Sequence, residues 1–80
     1  VFELCQLKGV DFTEADLSAA QFLHCDLFNA VFENTLLEKA DFRSALNYSL
    51  DPARNKVKKT KFSLNGISGL LDKYDIVIEP

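Results

Sequence analysis

The sequence predicts an all-β chain: a short coiled solenoid of five-residue repeats, closed at its C-terminal end by a non-repeating cap. Three observations carry that expectation. A large apolar residue recurs at every fifth position from Phe2 to Phe42, and a small or β-branched residue stands two places before each later member. Both patterns lapse near residue 46, where the composition changes.

The large series is Phe2, Leu7, Phe12, Leu17, Phe22, Leu27, Phe32, Leu37 and Phe42, with Phe and Leu in strict alternation. The small series is Cys5, Val10, Ala15, Ala20, Cys25, Ala30, Thr35, Ala40 and Ala45. The other positions are mostly polar, and Asp11, Asp16, Asp26 and Asp41 stand just before a large residue. A helix would space its apolar residues by three and four, and a simple strand by two. A period of five fits neither and requires a backbone that turns once per repeat.

Ala15-Asp16-Leu17, Cys25-Asp26-Leu27 and Ala40-Asp41-Phe42 resemble the units of the pentapeptide-repeat family, over residues 1 to about 46. The resemblance implies a right-handed quadrilateral β-helix. Four units make one square coil, and coils stack at the ordinary β spacing of about 4.8 Å. In that register Phe2, Phe22 and Phe42 share one face, and Phe12 and Phe32 share the opposite one. Leu7 with Leu27, and Leu17 with Leu37, fill the remaining two. These nine residues are the expected structural core. Cys5 and Cys25 fall in one inward column as small residues in the place of alanine. Residues 1–46 are thus assigned to the coils and 47–80 to a cap and dimerisation segment. The repeat pattern is already running at Val1-Phe2, so the chain reads as the capped end of a longer rod.

Charge is unevenly spread. Residues 1–45 carry eight acids and three bases, a net of −5, whereas residues 46–80 carry four acids and six bases, a net of +2. The overall charge of −3 argues against non-specific attraction to nucleic acid or an anionic membrane. No run approaches the roughly 20 apolar residues that span a bilayer, and no signal peptide is visible. Two cysteines without secretory context point to a reduced, cytoplasmic chain. The one histidine, His24, is placed to face outward, so no nucleophile, base and orienting group can be assembled around it. No phosphate-cradling glycine loop or metal-ligand spacing is present. An enzyme is not expected, and neither a cofactor nor a small-molecule substrate.

Asn47 stands where the next large residue belongs, and its inward register predicts that it caps the apolar column. Tyr48-Ser49-Leu50-Asp51-Pro52 reads as a turn, since proline cannot donate to a ladder. Residues 55–61 carry Lys56, Lys58, Lys59 and Lys61 and read as an extended, solvated edge protected from pairing by lysine. Ser63 is a helix N-cap, with Leu64, Ile67, Leu70, Leu71 and Tyr74 following at helical spacing. Gly66 and Gly69 lower helix propensity but allow another backbone to approach closely. Residues 75–79 look like a short strand. Because Ile76, Val77 and Ile78 are apolar on both faces, a homodimer is expected through Leu64, Ile67, Leu70, Leu71, Tyr74, Ile76 and Ile78.

This ending is similar to the C-terminal part of Qnr-type quinolone-resistance proteins and their antibiotic self-immunity relatives. That resemblance implies a protein of the DNA-mimic type that binds a type II topoisomerase, DNA gyrase or topoisomerase IV, and protects it from quinolones or toxins. The acidic face would comprise Glu3, Asp11, Glu14, Asp16, Asp26, Glu33, Glu38 and Asp41. The projecting loops that Qnr proteins use on gyrase are absent from these residues. The competing expectation is a structural solenoid or interaction module with no topoisomerase partner, and fold alone does not separate the two.

Overall fold

Most repeats make the same corner. In the computed structural model, which describes residues 1–79, the carbonyl of the large residue accepts the amide three residues ahead, except at Phe2, Phe22 and Phe32. Val10 donates to Leu7 at 3.2 Å, Ala15 to Phe12 at 3.0 Å, Ala20 to Leu17 at 3.0 Å and Ala40 to Leu37 at 3.0 Å. The third residue of these turns has positive φ, 72° at Gly9, 61° at Glu14, 60° at Ala19, 60° at Asn29 and 63° at Lys39, but not at Ser44 in the Phe42 turn. That left-handed conformation reverses the chain direction in so few residues, and only Gly9 adopts it without steric cost. The preceding aspartates brace the turns. Asp16 accepts the Ser18 amide at 3.1 Å, Asp26 that of Phe28 at 3.0 Å and Asp41 that of Arg43 at 3.0 Å.

Successive coils pair in parallel at an offset of twenty residues. Phe2–Glu3 (β1) pairs with Phe22–Leu23 (β2), and these two-residue segments are the only regular strands among the described residues. Elsewhere each side of the coil contributes a single bridge: Gln6 to Asp26 to Leu46, Asp11 to Val31, Asp16 to Leu36 to Lys56, and Gln21 to Asp41 to Lys61. Four five-residue units therefore complete one coil, and we name the four faces after Phe2, Leu7, Phe12 and Leu17.

The ladder does not stop at residue 46. Lys56 bridges Leu36 and Lys61 bridges Asp41, so the segment expected to be an extended edge beyond the coils is part of a third coil. Val57 and Phe62 resume the five-residue series and pack against the core. Asn47 does not enter the column. It is exposed at φ 61°, its amide nitrogen donates to Asp26 at 3.2 Å, and Tyr48 turns inward in its place. The Tyr48 ring packs 5.4 Å from Phe42 and 5.7 Å from Phe62, and its hydroxyl is buried without a hydrogen-bond partner among the described residues. Asn55 repairs the ladder after the Asp51-Pro52 turn. Its side chain accepts from the Thr35 amide at 2.9 Å and donates to the Phe32 and Asp51 carbonyls at 3.1 and 2.9 Å.

Inside, the rings form two ladders. Phe2, Phe22, Phe42 and Phe62 stack with centroids 5.0, 4.8 and 5.5 Å apart, while Phe12 stacks on Phe32 at 5.1 Å. The ladders meet edge to face, with Phe22 lying 6.1 Å from Phe12 and 6.5 Å from Phe32. Both arrangements are favoured by the ring quadrupole. Phe22, Leu27, Leu37, Phe42 and Cys25 are fully buried, and Phe32 nearly so. Phe2, Leu7, Phe12 and Leu17, in the first coil, are half-buried.

The cap differs from expectation. In place of one helix there are two short 3-10 turns, Ile67–Leu70 and Asp72–Tyr74. Ser63 does receive the Gly66 amide, at 3.2 Å, but no α-helix follows. Gly66 lies against the Tyr48 ring and Gly69 against the Tyr48 carbonyl. The chain follows this close packing in preference to a helix that two glycines already disfavour. Residues 76–78 form no strand, since no neighbouring segment offers them a ladder.

Candidate interaction surface

With the axis filled by side chains, the outer faces and the cap present the surface available for recognition. Each five-residue unit directs outward the residue before its large apolar residue and the two after it. On the Phe12 face these are Asp11, Thr13 and Glu14 in the first coil and Val31, Glu33 and Asn34 in the second. The Leu17 face shows Asp16, Ser18 and Ala19, then Leu36, Glu38 and Lys39, then Lys56, Lys58 and Lys59.

The acids gather unequally. Asp11, Glu14, Asp16, Glu33 and Glu38 fall on these two adjacent faces, whereas Glu3 and Asp41 lie on the Phe2 face and Asp26 on the Leu7 face. Several are already engaged. Asp41 holds Arg43 at 2.8 Å, Glu33 holds Arg54 at 3.1 Å and Asp26 lies 3.6 Å from Lys8. Asp41 is buried. Hydrogen bonds from Thr13, Ser18, Asn47 and Arg43 hold Asp11, Asp16, Asp26 and Asp41 below the usual carboxylate range. These four carboxylates serve their turns first, and their negative charge is a consequence.

Charge also changes along the axis, from coil to coil. Residues 1–20 carry Glu3, Asp11, Glu14 and Asp16 against Lys8, a net of −3. Residues 21–40 carry Asp26, Glu33 and Glu38 against Lys39, a net of −2. Residues 41–62 carry Asp41 and Asp51 against Arg43, Arg54, Lys56, Lys58, Lys59 and Lys61, a net of +4. Val57 and Phe62, still in five-residue register, were the signal that Lys56 to Lys61 belong to the stack.

On the cap, Leu64 is 87% exposed and Val77 80%, with Ile67, Tyr74, Ile76 and Ile78 also exposed, while Leu70 and Leu71 are half-buried. The Tyr74 hydroxyl donates to Asp51 at 3.2 Å and ties the cap to the third coil. A groove of about 490 Å³ separates cap from coil, bordered by Phe28, Asn29, Asn47, Ser49, Asn65 and Asp72. His24 is exposed on the Phe2 face, where its amide is bound by the Ser44 hydroxyl. Cys5 and Cys25 are free thiols, and burial pushes the Cys25 thiol up. Among the described residues no three His, Cys, Asp or Glu side chains are grouped to hold a metal ion. No helix there is long and apolar enough to cross a membrane.

A stack of short parallel bridges around a filled axis is the architecture of a repeat protein whose units pair with their neighbours along one direction. Residues 5–45 match pentapeptide repeats in 8 copies, and the chain belongs to the pentapeptide-repeat family. No curated protein matches the chain.

Proposed function

We propose that the chain is a non-enzymatic binding rod, a segment of right-handed quadrilateral β-helix, whose acidic flank engages a type II topoisomerase in place of duplex DNA. DNA gyrase and topoisomerase IV are the partners this reading names, and protection from quinolones or toxins is the outcome. The observation that supports it is the gathering of Asp11, Glu14, Asp16, Glu33 and Glu38 on two adjacent faces of the first two coils. Such a flank attracts a surface built to hold phosphates, through complementarity of potential. The reading also places the protein in the cytoplasm, as a homodimer joined through Ile76, Ile78 and the exposed apolar residues of the cap.

A second reading is a structural or protein-interaction solenoid with no topoisomerase partner. It is favoured by the turn-bracing role of the aspartates and by the +4 charge of residues 41–62. A gyrase supercoiling assay with a fluoroquinolone separates the two. Topoisomerase binding predicts that added protein restores supercoiling, and that Glu14→Lys with Glu38→Lys abolishes the effect. Unchanged inhibition, with no binding of gyrase or topoisomerase IV to immobilised protein, leaves the second reading.

A further inference from the structure

One outward column of the Leu17 face has a self-complementary order. The bridges Asp16 to Leu36 and Leu36 to Lys56 set an acid, an apolar side chain and a base one above another, one per coil. Asp16 and Lys56 are exposed, and Leu36 is half-buried between them. Among the described residues Lys56 has no carboxylate within ion-pair distance, and neither do Lys58, Lys59 or Lys39 on the same face. Beside Leu36 the surface dips into a hollow of about 260 Å³, lined by Asn34, Leu36, Arg54 and Lys56 among others.

We propose that this face pairs with the same face of a second copy, running antiparallel about a two-fold axis at Leu36. The axis lies in the contact plane, along the strand direction. It brings Asp16 of each copy opposite Lys56 of the other, and Leu36 against Leu36 beside the two hollows. Lys58 then meets Ser18 and Lys59 meets Ala19, so no like charges oppose one another in the outer coils. In the central coil Glu38 faces Glu38 and Lys39 faces Lys39, each with its opposite charge one residue along the strand, so that coil adds no net attraction and the outer coils carry the pairing. The self-complementary patch is what an isologous dimer requires. The coil charges of −3, −2 and +4 draw antiparallel rods together and hold parallel ones apart. The molecule measures 32 × 24 × 24 Å, so one face falls short of the ~800 Å² per partner of a standard interface, and the pairing is weak and concentration-dependent. It is separate from the apolar tail.

Sedimentation equilibrium of the full chain tests the contact. Lys56→Asp leaves an acid at both ends of the column, and Asp16→Lys leaves a base at both. Each variant alone should associate about tenfold or more weakly than the unaltered chain, and their equimolar mixture should regain its strength. Raising salt to about 0.5 M should likewise weaken the unaltered chain, because exposed pairs are screened. Asp16→Lys also removes a turn brace, so Leu36→Lys, which sets two like charges on the axis, is a further variant expected to dissociate. A strict monomer at every concentration overturns the proposal. So does association that Lys56→Asp and Leu36→Lys leave at full strength, including association lost only on Ile76→Asp, which would assign it to the tail.

Discussion

Asp11, Asp16, Asp26 and Asp41 each turn one carboxylate oxygen back onto the amide two residues ahead. Because these bonds favour the charged form, the folded pKa values lie below the unfolded value near 4. A depressed carboxylate contributes stability that is fully present above its unfolded pKa and is lost as pH falls through the folded one. Thermal melts should therefore be level above about pH 5 and fall steeply below about pH 4. A melting temperature constant down to pH 2 would contradict the turn-bracing role. Ala19 carries the opposite lesson. Its φ of 60° costs a residue with a Cβ roughly 1–2 kcal/mol, part of which glycine avoids. Ala19→Gly should stabilise the fold by up to about 1 kcal/mol, where the same change in a helix would weaken it. Urea unfolding of the two proteins measures the difference.

Two local arrangements hold the third coil and the cap. Where Asp51-Pro52 interrupts the bridges on the Phe12 face, the Asn55 side chain supplies the missing bonds to Phe32 and Thr35. Asn55→Ala leaves that buried amide and carbonyl unpaired, so a loss of roughly 1–3 kcal/mol is expected in denaturant titration. Asn55→Asp should be no better, since it keeps the acceptor but removes the donor to both carbonyls. The cap depends on a close approach of backbones, with the Leu50 amide bonded to the Gly69 carbonyl at 3.0 Å. A Cβ on Gly69 would run into the Tyr48 carbonyl. Gly69→Ala should therefore lift the cap from the third coil, with faster amide exchange at Leu50 and earlier proteolysis beyond residue 63. Exchange and cleavage equal to the unaltered chain would show that the backbones need not meet.

For the molecule as a unit, cohesion runs along the axis. Four phenylalanines stack in one ladder and two in the other, and Phe22 touches rings on both. Phe22→Ala should cost roughly 3–5 kcal/mol, more than Phe2→Ala at the half-buried first coil. Equal losses at the two positions, read from chemical denaturation, would mean that the ladder does not transmit stability between coils. The outer faces are free to vary around this axis, which is why one fold carries an acidic flank, a basic third coil and an apolar cap on the same chain.

A period of five, with large residues alternating between Phe and Leu, was enough to show which side chains turn inward, because each repeat solves the same local problem of turning once and burying one side chain. The offset of twenty adds nothing to that local pattern, so the family resemblance supplied it and the bridges show it. The period breaks at Asn47, yet the coils continue past it to Lys61. Only packing decides that Tyr48 takes the inward place, that Asn55 mends the ladder, and that Val57 and Phe62 rejoin the columns. The cap lay further out of reach, since its glycines answer to Tyr48 and not to their own neighbours in sequence. The grouping of charge by face likewise depends on which residues meet across coils. Periodicity is written locally and survives reading in one dimension, whereas contacts between residues twenty apart exist only once the chain is stacked.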